Sequence, residues 1–152
     1  MFVVNVEGAI RRGDRWLMIK RSDKEEHAPG ALSFVGGKCE RDEASTDILE
    51  RTLKREIYEE VGVNVTDLLH YVNSSIFQTA SGIDVIDVVY ICSLQEGEAY
   101  AKSPVEVDEV KWMTTEEILA HPGIPDFLIH NIQQCEAVYR SRFSGVHHDA
   151  HR

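Results

Sequence analysis

Arg55-Glu56-Ile57-Tyr58-Glu59-Glu60-Val61-Gly62-Val63 sets three carboxylates and an arginine within six consecutive residues. At about 100° per residue, Glu60 lies roughly 40° and Glu59 roughly 60° from Glu56, on opposite sides, so on a helix all three share one sector. The upstream sequence says that this is a helix. Leu49, Leu53, Ile57 and Val61 recur every four residues with Ile48 beside them, which predicts a helix over 45–61 with an apolar face, stopped by Gly62. Like charges at such spacing destabilise an isolated helix by a few tenths of a kcal/mol per pair, so the arrangement calls for a compensating cation. A ligand set of oxygens alone favours Mg²⁺ or Mn²⁺.

Taken by itself an acidic helix face is ordinary, since Arg51, Lys54 and Arg55 can balance it through local pairs. The preceding segment changes that balance. A short apolar run over 31–35 leads into Gly36-Gly37-Lys38, read as a tightly bent loop that sets a backbone carbonyl and amides beside the helix, where a metal and a phosphate would meet. Before it, the polar stretch 22–30 closes in Pro29-Gly30, and two β-prone runs, 2–10 and 15–20, flank Arg11-Arg12-Gly13-Asp14 as a hairpin.

Downstream, two β-rich runs, 68–79 and 83–94, surround Ala80-Ser81-Gly82 and predict a long central hairpin. Its second arm carries Val85-Ile86-Asp87-Val88-Val89-Tyr90-Ile91, too apolar for a solvated edge. An acidic loop over 95–109 precedes a short strand over 110–113, and Thr114 or Thr115, followed by Glu116 and Glu117, caps a helix. A last helix is expected over 125 to about 143. There is no internal repeat or low-complexity linker. The expectation is one α+β domain over 1–145, with 146–152 a tail whose His147, His148 and His151 read as a frayed terminus.

Composition narrows the functions open to the chain. It has 152 residues, 43% of them hydrophobic, enough for one ordinary core. Its 16 Lys and Arg against 26 Asp and Glu give a net charge of −10, which argues against a nucleic-acid polymer or an anionic membrane as partner. Cys39, Cys92 and Cys135 form no Cys-x-x-Cys pair and read as reduced thiols. Glu7 interrupts the N-terminal apolar run before it reaches signal-peptide length, and nowhere do about 18 apolar residues follow one another. A cytoplasmic location is the expectation.

The stretch resembles the Nudix box: a Gly, five residues, a Glu, usually seven residues, then Arg-Glu-aliphatic-x-Glu-Glu-x-Gly-aliphatic. Gly37 and Glu43 meet the first spacing, and residues 55–63 match every defined position of the second half. Between them stand eleven residues instead of seven, a four-residue insertion, so Glu43 fits the count from Gly37 and Asp47 the count from Arg55. In the family that acid is mainly structural, bracing the arginine. The element order is similar to the family's throughout, which implies a Nudix-type (MutT-like) α/β/α sandwich with a mixed central sheet.

The resemblance further implies metal-dependent hydrolysis of a phosphoanhydride bond in a nucleoside diphosphate linked to another group. Its alternative is a Nudix-fold sensor that binds a nucleotide without cleaving it. Glu56, Glu59 and Glu60 would supply the Mg²⁺ or Mn²⁺ site, Glu56 and Glu60 as the more direct ligands, with the Gly36 carbonyl completing it. Arg55 would orient a glutamate, and Lys38 and Arg21 would meet substrate phosphate. Gly37 and Gly62 are structural positions of the motif. Family members often add a carboxylate from a later loop as general base or ligand; Glu106 is preferred here, Glu109 second, among Glu96, Glu98, Glu106, Asp108 and Glu109. No feature selects the base, the sugar or the second moiety, and the apolar β-rich segments allow a homodimer.

Overall fold

The computed structural model describes residues 1–26, 28–41 and 45–144. Its centre is a mixed eight-stranded sheet. Strand β1 (Phe2–Arg12) runs parallel to β7 (Asp84–Glu96), the long apolar arm foreseen in the sequence. β7 also pairs antiparallel with β6 (His70–Gln78) and with the short β5 (Asn64–Val65), so it lies inside the sheet, as its unbroken apolar run demands. β2 (Arg15–Arg21) pairs antiparallel with β3 (Leu32–Ser33) and β8 (Val107–Thr114), and β1 pairs antiparallel with β4 (Val35–Lys38).

Strand alternation sends side chains to two cores. On one face Val6, Ile10, Leu17, Ile19, Val88 and Tyr90 meet Leu53, Ile57 and Val61 of helix α1 (Ile48–Val61). On the other, Ala9, Trp16, Met18, Phe34, Val89 and Ile91 meet Ile118 of α2 (Thr115–Leu119) and Leu128, Ile132 and Cys135 of α3 (Asp126–Tyr139). The result is an α/β/α sandwich with a mixed sheet, the architecture expected from the sequence. Cys92 and Cys135 are sealed in these layers, and burial pushes both thiols upward, Cys92 to about 12. Among the described residues, no helix is long and apolar enough to cross a membrane.

Three expectations need correction or narrowing. The hairpin of β1 and β2 is real at its turn, through Gly13 at φ 62°, but it pairs only at Arg11 with Trp16 and Arg12 with Arg15. Beyond that the strands part, β1 toward β4 and β7, β2 toward β3 and β8. The glycine pair is also not a bent loop. Gly36 and Gly37 lie within β4, paired with Glu7 and Val6 of β1. The reason for glycine there is close approach: a Cβ on Gly36 would stand 2.0 Å from the Val6 carbonyl oxygen. At Gly37 it would stand 2.5 Å from Glu56 Cδ. The helix expected over 45–61 starts at Ile48, after Asp47 in left-handed backbone at φ 54° with no side-chain cap. Glu43 and the tail 146–152 lie outside the described residues.

Candidate functional site

Helix α1 packs its apolar face onto β1 and β4, which forces its acidic sector to the rim where β4 ends. Glu60 is buried, 5% exposed, and its Oε1 accepts the Gly36 amide at 3.3 Å. Glu56, one turn earlier, lies against Gly37, in the space a side chain there would fill. Gly62 ends the helix in left-handed backbone at φ 72°, its amide donating to the Tyr58 carbonyl at 3.0 Å.

A third carboxylate arrives from the other side of the rim. Glu106 stands just before β8, and its backbone carbonyl accepts the Ser22 amide at 3.0 Å, tying it to the end of β2. Carboxylate oxygens of Glu56, Glu60 and Glu106 all lie within 4.8 Å of one another. Of the later acids weighed in the sequence, only Glu106 joins this set. Glu98 pairs with Arg12, Asp108 with Lys20, Glu109 with Lys111, and the Glu96 side chain accepts from Asn64.

The electrostatics mark a strained anionic cluster. Burial, then the charges of Glu106 and Glu56, raise Glu60 to about 8, against the Gly36 amide and Arg21, which lower it. Glu56 rises to about 7 through burial and then the charge of Glu59, opposed by Arg55. Hard oxygen donors that hold protons well above the ordinary carboxylate range, for want of positive charge, fit a small divalent cation. Three carboxylates converging on one point can bind such an ion and set a phosphate against it.

The remaining expected residues fall around this cluster. Glu59 is exposed, and the Arg55 guanidinium lies 3.8 Å from it and 3.7 Å from Glu56, bridging the two. Arg21 ends β2, pairs with Glu25 at 3.4 Å, and is felt electrostatically by Glu60. Lys38 is exposed and follows Gly37 on β4; alternation turns its side chain away from the α1 face, beside Asn5. Asp47 precedes α1, its carbonyl accepting the Arg51 amide at 2.9 Å.

Two groups of residues escaped the sequence reading. On the opposite face of the sheet, Glu7 and Asp87 form a second carboxyl pair, with Asn5 donating to Asp87 at 2.8 Å; burial, then the hydrogen bond to Asp87, pushes Glu7 well above the carboxylate range. No periodicity could have revealed it, because the pair is created by the parallel register of β1 and β7. The other group is the segment around Tyr100 and Lys102, which lies over the end of α1.

A NUDIX domain family model matches residues 1–130, and the chain belongs to the Nudix family. Among solved structures it is similar to a MutT Nudix hydrolase from Burkholderia pseudomallei, with TM-score 0.75 and 24% identity, covering 88% of this chain and 98% of that one. A MutT protein from Methanosarcina mazei Go1 gives TM-score 0.74 at 20% identity, with 91% and 96% covered. The Nudix domain of Shewanella oneidensis NrtR, complexed with ADP-ribose, gives 0.70 at 20%, with 90% and 88% covered. No curated protein sequence matches the chain significantly.

Proposed function

We propose that this protein is a Mg²⁺- or Mn²⁺-dependent hydrolase that cleaves a phosphoanhydride bond in a nucleoside diphosphate linked to another group. The observation that carries this reading is the convergence of Glu56, Glu60 and Glu106 within 4.8 Å. A pure binding surface for an anion has no use for three converging carboxylates. In this reading Glu56, Glu60 and Glu106 hold the metal, with the Gly36 carbonyl and Glu59 as further donors. When bound, the cation neutralises non-bridging phosphate oxygens and lowers the pKa of a coordinated water.

The protein's own groups then have separate tasks. The Gly36 amide fixes Glu60, and Arg55 bridges Glu56 and Glu59 so that the carboxylates keep their orientation. Water attacks phosphorus, the bridging P–O bond breaks, and the departing phosphate keeps the electron pair. In this reading the carboxylate oxygen of Glu106 that the cation leaves free takes the proton that water loses. Arg21 at the end of β2 supplies positive charge for the remaining phosphate oxygens, whereas Lys38, whose side chain leaves the α1 face, does not meet them. The ADP-ribose held by the Shewanella oneidensis domain supports a nucleotide derivative as the ligand class.

The test is a panel of nucleotide sugars, ADP-ribose, dinucleoside polyphosphates and oxidised nucleoside triphosphates, incubated with each metal and read by mass. Release of a nucleoside monophosphate or of phosphate supports the reading. Saturable binding without turnover would make the protein a nucleotide sensor instead.

A further inference from the structure

The loop that carries Glu106 does not reach the metal cluster unaided. A helix leaves its last four carbonyls without intrahelical partners. In α1 two of these, on Glu60 and Val61, are taken by the incoming chain: the Lys102 amide donates to Glu60 at 3.0 Å and the Tyr100 amide to Val61 at 3.1 Å. Four residues later the chain delivers Glu106 through a tight turn, with the Glu106 and Val107 amides donating to Ser103 at 3.0 and 2.8 Å. The third carboxylate is thus registered to the helix that supplies the other two.

What seats this strap is a ring. A Cβ on Gly62 would stand 2.4 Å from Tyr100 Cε1 and 3.1 Å from Cδ1 and Cζ, so the aromatic ring lies directly against the glycine that ends α1. Tyr100 is 55% exposed, so core burial does not explain its position. A further clamp lies next to it, where the Lys102 ammonium sits 3.6 Å from the centre of the Tyr58 ring. Gly62 therefore serves two purposes, a left-handed helix end and a flat seat for Tyr100.

We propose that Tyr100 is a positioning residue, which holds the 97–106 strap on the end of α1 and so keeps Glu106 opposite Glu56 and Glu60. This rests on the assignment of Glu106 to the metal centre made above. The ring does the work, since its carbons make the contact.

The experiment is a double-mutant cycle read by binding of Mn²⁺ alone, measured from the free-ion EPR signal, on wild type, Tyr100→Ala, Glu106→Gln and the double variant. Loss of a positioning contact should weaken Mn²⁺ by about 10-fold. Tyr100→Ala should add nothing once Glu106 is gone, and Tyr100→Phe should restore the wild-type constant. Additive losses in the cycle, or an unaffected Tyr100→Ala, would overturn the proposal while leaving Glu106 as a ligand. A Glu106→Gln protein that binds Mn²⁺ as wild type does would overturn the assignment of Glu106 itself, and the proposal with it. Should Tyr100→Ala fail to fold, Lys102→Pro, which deletes the amide that reaches Glu60, takes its place in the same cycle.

Discussion

At the scale of single residues, the site is built from contacts too close for any side chain but hydrogen. The nearest atom to a Cβ on Gly37 belongs to the Glu56 side chain, whose end can swing away. Gly37→Ala is therefore expected to leave the melting temperature nearly unchanged while weakening Mn²⁺ binding; a variant with wild-type metal affinity would show that Glu56 is not held there. At Gly36 the obstacle is the Val6 backbone, which cannot swing. Gly36→Ala should cost about 1–3 kcal/mol in denaturant unfolding, a typical penalty for overpacking.

The raised carboxylates fix the sign of a pH effect. Glu56 and Glu60 bind protons more tightly in the folded metal-free protein than in the unfolded chain, so the stability they contribute is complete below about pH 4.5. It is lost as pH rises through about 7 and about 8. Melting curves of the metal-free protein should accordingly fall relative to Glu60→Gln between those limits, and Mn²⁺ should cancel the fall at the upper end. A pH-independent difference between the two proteins would contradict the burial of these charges. The acid sector itself was legible in the sequence, because helical geometry alone brings Glu56, Glu59 and Glu60 together. That Glu106 and not Glu109 joins Glu56 and Glu60 was a preference, and only the turn at Ser103 gives it a physical cause.

At the scale of elements, the readable parts were those with local causes. The four-residue apolar period gave α1, and the turn at residues 80–82 gave the β6–β7 hairpin. Of the two caps the sequence offered, Thr114 and Thr115, it is Thr114 that caps α2, its Oγ1 accepting the Glu117 amide at 3.1 Å while Glu117 accepts the Thr114 amide at 2.9 Å. Thr114→Ala should cost about 1 kcal/mol, measured by chemical unfolding, with little effect on metal binding. The glycine pair was misread, and the short extent of the first hairpin missed, for one reason. Both are decided by which strand lies alongside, β1 against β4 and β7, and pairing across such separations leaves no local trace.

At the scale of the whole molecule, the sandwich explains why a chain of net charge −10 concentrates acid at one point. The two cores on either face of the sheet hold β1, β4 and α1 in register, and that register holds the cluster against its own repulsion until a cation compensates it. The central claim is that this cluster hydrolyses a phosphoanhydride bond. Its most direct measurement is turnover of whichever panel nucleotide reacts, carried out in ¹⁸O-labelled water with Mg²⁺ or Mn²⁺, for wild type and Glu60→Gln. The account predicts one labelled oxygen on a product phosphate, dependence on added metal, and a loss of at least about 100-fold in kcat/KM for Glu60→Gln. Turnover that proceeds equally well in Glu60→Gln, or no turnover of any panel member with either metal, would contradict it.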